Sequence, residues 1–185
     1  LHQYIKSKKP IFFLDTETCA DYVLSMFAEA KIKVEVAKTR AFKDLLELGK
    51  IAEKKGDILI IDSISHFWTE LMEAYMRKRE IKRISLRDWI PLKAEWRDFT
   101  TFFINSHLHI VMLGRAGWEF DYVEGDDGIK DLVKTNTRMK VEGEMSYEPS
   151  LLIEMEHHRQ EIGKVGGGIL HRAWIIKDRF DVING

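Results

Sequence analysis

Two short apolar runs of the sequence lead into carboxylates that could do phosphate chemistry. Residues 58–61 are four consecutive apolar residues, and Asp62 follows them directly. Residues 11–14 form a second apolar run, and Glu17 follows it three positions later. One carboxylate could hold a hydrated magnesium ion while the other orients or deprotonates an attacking water molecule. The pair therefore predicts metal-dependent phosphate chemistry.

Both apolar runs are typical of strands that are buried on both faces of a parallel sheet. The carboxyl ends of parallel strands meet at one edge of the sheet, and ligands bind in the crevice outside that edge. We therefore expect Glu17 and Asp62 to face one crevice. A simpler interpretation is that Asp62 only caps the turn after a core strand.

The chain up to residue 113 alternates strand patterns with helix patterns. Predicted strands cover residues 11–14, 32–36, 58–61 and 109–113, and predicted helices cover residues 20–30, 41–55, 66–83 and 91–106. Such alternation indicates a parallel sheet with right-handed crossovers. Residues 1–9, which precede the first strand, resemble the last turns of an amphipathic helix.

After residue 113 the pattern changes to shorter strands that are separated by turns. They are predicted at residues 118–123, 133–141, 150–156 and 170–176, with an acidic turn at residues 124–128 and three glycines at residues 166–168. We interpret them as a mixed or antiparallel extension of the sheet. The predicted fold is thus α/β, a mostly parallel sheet flanked by helices, in one domain of residues 1–185.

Composition excludes several classes of protein. The 185 residues carry 29 Lys and Arg against 30 Asp and Glu, a net charge of -1, so no overall basic excess indicates nucleic acid or an acidic membrane. A single cysteine, Cys19, excludes an internal disulfide. No apolar run is long enough to cross a bilayer, and no signal sequence opens the chain. We expect a soluble protein of the bacterial cytoplasm or of a phage-infected cell.

The motifs at the strand ends resemble those of RecA-like ATPases. They are Asp15-Thr16-Glu17, Asp62-Ser63, Gly114-Arg115 and Lys177-Asp178-Arg179-Phe180, in that order. They look most like the phage-encoded branch linked to single-strand annealing and recombination. The resemblance implies that Glu17 is the catalytic glutamate and that the strand ending at Asp62 is the Walker B element, which holds Mg²⁺. It also implies that Asp62, Ser63 and Arg115 bind the nucleotide, ATP.

Two cations near the end of the chain suggest assembly. Lys177 and Arg179 are two residues apart, so an extended strand would point both to one face. So placed, they could neutralise charge that develops on a transferred phosphoryl group. The pair also resembles the cationic finger that reaches a neighbour's nucleotide in related ring-forming ATPases. The resemblance therefore implies a homo-oligomer, either a ring or a filament.

The predicted function is a magnesium-dependent, ATP-binding and ATP-hydrolysing domain that acts in DNA recombination or replication. Single-stranded DNA is the predicted partner, and no membrane is involved. The stretch of residues 77–83 has five basic residues in seven, which could touch phosphates.

One feature of RecA-like ATPases does not occur in these residues. The motif Gly-x-x-x-x-Gly-Lys-Ser/Thr, whose backbone amides cradle the phosphates, is not found. Because residues 1–9 resemble the helix that follows this loop in the family, we expect the loop upstream of Leu1. The family fold also implies that the strand of this loop lies inside the sheet.

Two alternative functions follow from the same residues. Asp15-Thr16-Glu17 matches the first motif of proofreading-type exonucleases, in which Asp15 and Glu17 would bind two metal ions. The further Asp motifs of that class are not evident. The other alternative is a RecA-like module that binds a protein or DNA partner without hydrolysing ATP.

Overall fold

The computed structural model describes residues 1–124, 130–159 and 168–183. The contacts between Cα atoms group the chain into two compact units, Leu1–Gly143 and Glu144–Gly185. The assignment of residues 1–185 to one domain remains a prediction.

A parallel sheet forms the centre of the first unit. Its strands are β1 (Ile11–Asp15), β2 (Val34–Lys38), β3 (Ile58–Asp62) and β4 (His109–Leu113). They lie in the order β2-β1-β3-β4, and every neighbouring pair is parallel. The predicted α/β fold with a mostly parallel sheet is confirmed. All four carboxyl ends consequently lie along one edge.

Four helices connect and flank these strands. They are α1 (Ala20–Glu29), α2 (Phe42–Lys55), α3 (Ile64–Arg79) and α4 (Trp89–Asn105). Helices α2, α3 and α4 pack against one another, and the buried ring of Trp96 stands at their meeting point. Its ring centroid lies 5.5 Å from that of Phe42, 5.1 Å from Trp68 and 5.3 Å from Phe99. Burying one such aromatic side chain contributes about 2–3 kcal/mol, so this cluster holds α2, α3 and α4 together.

Helix α3 begins and ends earlier than the sequence pattern predicts. It starts at Ile64, so that Ser65 and His66 belong to its first turn. It ends because Glu80 takes a left-handed conformation, with φ 55°, and the Ile81 amide bonds back to the Met76 carbonyl. The basic run therefore continues beyond the helix into the loop before α4.

The first residues of the chain have the hydrogen bonds of a helix end, although they form a turn and no regular helix. Lys6 is left-handed, with φ 53°. The Ser7 amide donates to the His2 carbonyl at 3.1 Å, and the Lys6 amide donates to the Gln3 carbonyl at 3.2 Å. This pair of bonds is the motif that closes many α-helices. Residues 2–7 thus form a turn with the hydrogen bonds of a helix end, and the helix itself stays a prediction.

Strand β4 is less buried than the sequence predicts. Its neighbour on one side is β3, and it forms the edge of the sheet. As a result Val111 and Leu113 are 42% and 44% exposed. A run of five apolar or aromatic residues indicates a strand, but periodicity cannot tell a central strand from an edge strand. Among the described residues the parallel sheet has four strands, and β3 pairs directly with β4.

The remaining strands form two antiparallel pairs. Strand β5 (Ala116–Glu124) pairs with β6 (Lys130–Met139), and β7 (Leu151–Arg159) pairs with β8 (Ile169–Asp178). The predicted antiparallel strands are confirmed, and each pair makes a two-stranded sheet of its own. The predicted acidic turn and most of the predicted triple-glycine segment lie outside the described residues. A short 3-10 helix, Met145–Tyr147, opens the second unit.

Candidate functional site

The carboxyl ends of β1 and β3 bring three of the predicted site residues together. Asp15 and Asp62, the last residues of the two strands, are direct partners in the parallel register. Ser63, joined to Asp62 by a cis peptide bond, lies just beyond β3. Its hydroxyl donates to Glu17 Oε1 at 3.3 Å. Glu17, Asp62 and Ser63 therefore share one edge of the sheet.

The side chain of Asp15 is hydrogen-bonded to backbone amides of its own turn. Its carboxylate accepts hydrogen bonds from the amides of Glu17 and Cys19 on Oδ1, at 3.0 and 3.1 Å, and from the amide of Ala20 on Oδ2, at 3.0 Å. Burial alone would raise the pKa of Asp15, but the backbone hydrogen bonds outweigh it, and the pKa lies below its ordinary value. Asp15 is thus a buried carboxylate that orders the turn into α1.

Glu17 is held by an arginine from the end of β4. Arg115 donates to Glu17 Oε1 from Nε at 3.1 Å and lies 3.0 Å away through Nη2. The backbone of Arg115 is itself fixed, because its amide donates to the buried Ser65 hydroxyl at 2.9 Å. The hydrogen bond from Arg115 lowers the pKa of Glu17, desolvation opposes it, and the charges of Arg115 and His66 add to the lowering. Glu17 is therefore an ionised carboxylate, one quarter exposed, with its charge matched by Arg115.

The surroundings of Asp62 raise its pKa, whereas those of Glu17 lower the pKa of Glu17. Burial raises the pKa of Asp62, and the negative charges of Glu17 and Asp15 raise it further, while His66 and Arg115 oppose the rise. In the described part of the chain, no residue donates a hydrogen bond to its carboxylate. A partly buried carboxylate next to two others favours a bound cation.

A buried threonine joins the two acidic strand ends. The Thr16 amide donates to the Asp62 carbonyl at 2.6 Å, and the Thr16 hydroxyl lies 3.0 Å from the same carbonyl oxygen. The Ser63 amide donates to Thr16 Oγ1 at 2.8 Å, and His66 Nδ1 lies 2.7 Å from that oxygen. On the outer side, Arg40 Nε donates to the Thr16 carbonyl at 2.7 Å.

His66 lies close to the acids as well. Its Nδ1 is 3.6 Å from Glu17 Oε1, and its side chain is 14% exposed. Burial lowers the pKa of His66, and the charge of Arg115 adds to this, while Glu17 acts in the other direction. The net direction is downward, so the imidazole is mostly neutral at pH 7.

Thr16, Ser65 and His66 also lie at this site, and none of them is among the site residues predicted from the sequence. A usable signal was present, since Thr16 lies between the two acids of the first motif and His66 is three residues after Ser63. In a first helical turn that spacing returns a side chain toward the strand end. The contacts themselves join residues about 50 positions apart in the chain, and no local pattern reveals them.

Lys177 and Arg179 lie in the second unit. Both donate to the Tyr147 carbonyl, Arg179 Nη2 at 3.1 Å, and Lys177 through Nζ. Their heads therefore converge on one side of the hairpin, as the spacing predicts. Their assignment as catalytic residues stays a prediction.

A protein-family model for an AAA domain matches residues 3–180 of the chain. The chain belongs to the AAA domain family. This places it among the P-loop NTPases, which are nucleotide-binding proteins. No curated protein matches the chain. No helix of the described residues is long and apolar enough to cross a membrane.

The strand ends of this AAA domain offer the ligand chemistry that magnesium prefers. Mg²⁺ is usually bound through one or two carboxylates, with water and substrate phosphates completing its octahedral shell. Asp62 offers a carboxylate that accepts no hydrogen bond from the described residues, and Ser63 follows it directly in the chain. Within the described residues, no three His, Cys, Asp or Glu side chains form a metal cage, and a nucleotide-bound magnesium does not need one. The residues therefore fit the ion.

The exonuclease alternative fits this AAA domain poorly. It requires Asp15 and Glu17 to bind two metal ions side by side. The Asp15 carboxylate is 1% exposed and accepts three backbone hydrogen bonds. Taking it as a metal ligand would break the turn into α1. Only Glu17 of the two remains accessible for chemistry.

Proposed function

We propose that this AAA domain hydrolyses ATP with Mg²⁺ and couples hydrolysis to single-stranded DNA in recombination or replication. The observation that carries the proposal is the meeting of Glu17, Asp62, Ser63 and Arg115 at one edge of the sheet. Phosphoryl transfer to water requires a base, a carboxylate that binds a cation, a hydroxyl and a mobile positive charge, and these four residues supply them.

Glu17 acts as the base that orients and deprotonates water, and Arg115 controls its strength. While Arg115 donates to Oε1, the lowered pKa of Glu17 makes it a weak base. The Arg115 side chain is 57% exposed, so its head can leave while its backbone stays bound to Ser65. We propose that the phosphates of bound ATP draw the guanidinium away from Glu17. Nucleotide binding would then both neutralise phosphate charge and restore the basicity of Glu17.

Asp62 and Ser63 would hold the magnesium ion of MgATP. When bound, the ion neutralises phosphate charge and orients the phosphates for in-line attack. Burial and the charges of Glu17 and Asp15 make Asp62 costly to leave ionised without a cation. Ser63 is the next residue, and its hydroxyl is the second oxygen donor at this end of β3.

Steady-state hydrolysis by the full-length protein tests the proposal. ATP turnover is measured with and without magnesium, and with and without single-stranded DNA. We expect turnover only with magnesium and a faster rate with DNA. Tight ATP binding without turnover would instead favour a non-hydrolysing module.

Replacing Asp62 by asparagine should weaken the use of magnesium. Asparagine keeps the shape but loses the charge that attracts the cation, so the magnesium concentration for half-maximal turnover should rise about tenfold or more. A magnesium titration at saturating ATP measures this. Asp98→Asn, which removes an exposed carboxylate of α4, is the control and should leave the titration unchanged. An unaltered midpoint in Asp62→Asn would remove Asp62 from the metal site.

The loop between α3 and α4 is the surface that best suits DNA. Within the described residues no carboxylate pairs with Lys78 in the last turn of α3 or with Lys82, Arg83 and Arg87 of the loop, and all four are exposed. Arg79 lies over the ring of Tyr75, 5.5 Å from its centroid. Helix α3 has 16 residues, so at 1.5 Å per residue this loop lies about 24 Å from the first turn near Glu17. DNA phosphates could bind there without obstructing the nucleotide.

Reversing two charges of this loop should weaken DNA binding and its salt dependence. For single strands the slope of log affinity against log salt is roughly −0.7 for each phosphate contact. The double change Lys82→Glu and Arg83→Glu should therefore flatten the slope by about 1.4, measured by fluorescence anisotropy with a labelled oligonucleotide. Lys43→Glu with Lys50→Glu on α2 makes the same charge change and should leave the slope unaltered. Equal effects of both pairs would indicate an unspecific charge effect and not a DNA site.

A further inference from the structure

The Thr16 hydroxyl has three close partners, and together they determine the state of His66. A hydroxyl has one hydrogen to donate and two lone pairs to accept with. The Ser63 amide, at 2.8 Å, can only donate, and it occupies one lone pair. The Asp62 carbonyl, at 3.0 Å, can only accept, and it takes the hydrogen. With the hydroxyl hydrogen on the Asp62 carbonyl, the second lone pair faces His66 Nδ1 at 2.7 Å, and His66 is then the donor.

The other tautomer costs the Asp62 carbonyl one of its two hydrogen bonds. If the hydrogen of His66 were on Nε2, Nδ1 would be an acceptor and Thr16 would have to donate to it. The Asp62 carbonyl would then lose the Thr16 hydroxyl and keep only the Thr16 amide. These atoms are buried or nearly so, and a lost hydrogen bond there costs more than at the surface. The arrangement with the hydrogen on Nδ1 makes a hydrogen bond of each of the three contacts of the Thr16 hydroxyl.

This hydrogen-bond network positions Glu17, the residue on which the proposed function depends. Thr16 directly precedes Glu17, and its amide and hydroxyl both contact the Asp62 carbonyl. Ser63, the next residue after Asp62, donates to Glu17 Oε1. His66 Nδ1 lies 3.6 Å from the same oxygen. The distance between the Glu17 carboxylate and the end of β3 therefore depends on the Thr16 hydroxyl, and His66 holds that hydroxyl.

We propose that His66 is a positioning residue for ATP hydrolysis, which donates from Nδ1 to Thr16 and so holds Glu17 against the end of β3. This role of His66 rests on the proposed function, because Glu17 is the base only if the domain hydrolyses ATP. His66 acts through Thr16 and does not need to touch ATP. Its loss should lower kcat and leave the KM for ATP nearly unchanged, since a displaced base slows the chemical step alone.

Three substitutions at position 66 separate the hydrogen bond from simple filling of space. Asparagine places an amide nitrogen near the position of Nδ1, whereas glutamine places one near Nε2. We expect His66→Ala and His66→Gln to lower kcat about a hundredfold, the loss that a displacement of about 1 Å can cause. His66→Asn should recover most of this loss. His107→Ala, which removes an exposed histidine before β4, should behave as the unaltered protein.

Thr16 gives a second test of the same contact. Thr16→Val keeps the shape but removes the hydroxyl, and Thr16→Ser keeps the hydroxyl. We expect Thr16→Val to lower kcat at least as much as His66→Ala does, because it also removes the contacts of the hydroxyl with Ser63 and Asp62. The double variant should be no slower than Thr16→Val alone, because the contact with His66 is already lost in that variant. Thr16→Ser should retain activity. Additive losses in the double variant would mean that the two residues act independently and would overturn the proposal.

The tautomer can be measured without any activity. Nitrogen-15 NMR of the full-length protein with labelled histidine, in the absence of ATP, should show His66 neutral and protonated on Nδ1. A hydrogen on Nε2 would overturn the proposal, as would equal recovery by His66→Asn and His66→Gln. Failure of the unaltered protein to hydrolyse ATP would overturn the proposed function instead, and the NMR result would still decide the hydrogen bond.

Discussion

Glu17→Gln should lower kcat for ATP hydrolysis by about a thousandfold, within the range that general-base catalysis contributes, and leave ATP binding intact. Glutamine has nearly the same shape and still accepts a hydrogen bond from Ser63. It cannot accept a proton from water. Hydrolysis is measured by phosphate release, and binding by a fluorescent ATP analogue.

The ion pair with Arg115 is lost in Glu17→Gln, but this should have little effect on stability. The Arg115 side chain is more than half exposed, and exposed ion pairs contribute little to stability because water and salt screen them. Thermal unfolding checks that point. Glu29→Gln, an exposed carboxylate at the end of α1, is the matched control and should hydrolyse ATP normally. Normal hydrolysis by Glu17→Gln would rule out Glu17 as the base.

Mixing two inactive subunits should restore activity if the protein works as a ring or filament. A Glu17→Gln subunit keeps Lys177 and Arg179, and an Arg179→Ala subunit keeps Glu17. At an interface where each supplies the part that the other lacks, one intact site forms. A cation that stabilises phosphoryl transfer from a neighbouring subunit is worth roughly a thousandfold or more in rate, so recovery should be easy to detect.

The contacts of Lys177 and Arg179 suit such a role. Both side chains end at the Tyr147 carbonyl, so their charges are held together at one point. A carbonyl is a weaker partner for a cation than a phosphate is, and a neighbour's nucleotide could therefore displace it. Arg172→Ala, an exposed arginine on the same strand, is the control and should be active alone. Mixtures that stay inactive while subunits demonstrably exchange would mean that the two cations act within their own chain or have no catalytic role.

Glu17 and Asp15 illustrate how far sequence reasoning reaches. The motif Asp15-Thr16-Glu17 contains two carboxylates, and the sequence allows either of them, or both, to bind a metal ion. Only the folded chain separates their roles, because the backbone amides of the turn into α1 converge on Asp15 and leave Glu17 accessible. That convergence depends on the path of the turn, and composition and periodicity do not specify it.

The sequence by itself determined the strands, the helices and the edge at which the acids lie. Apolar runs of four or five residues indicate buried strands, helical spacing indicates the connections, and a parallel sheet then puts the ends of β1 and β3 at one edge. These are local signals. The tertiary structure alone decided that β4 is an edge strand, that Arg115 neutralises Glu17 from 98 residues away, and that His66 holds Thr16. Each of these depends on which distant side chains meet, and no pattern within one segment encodes such contacts.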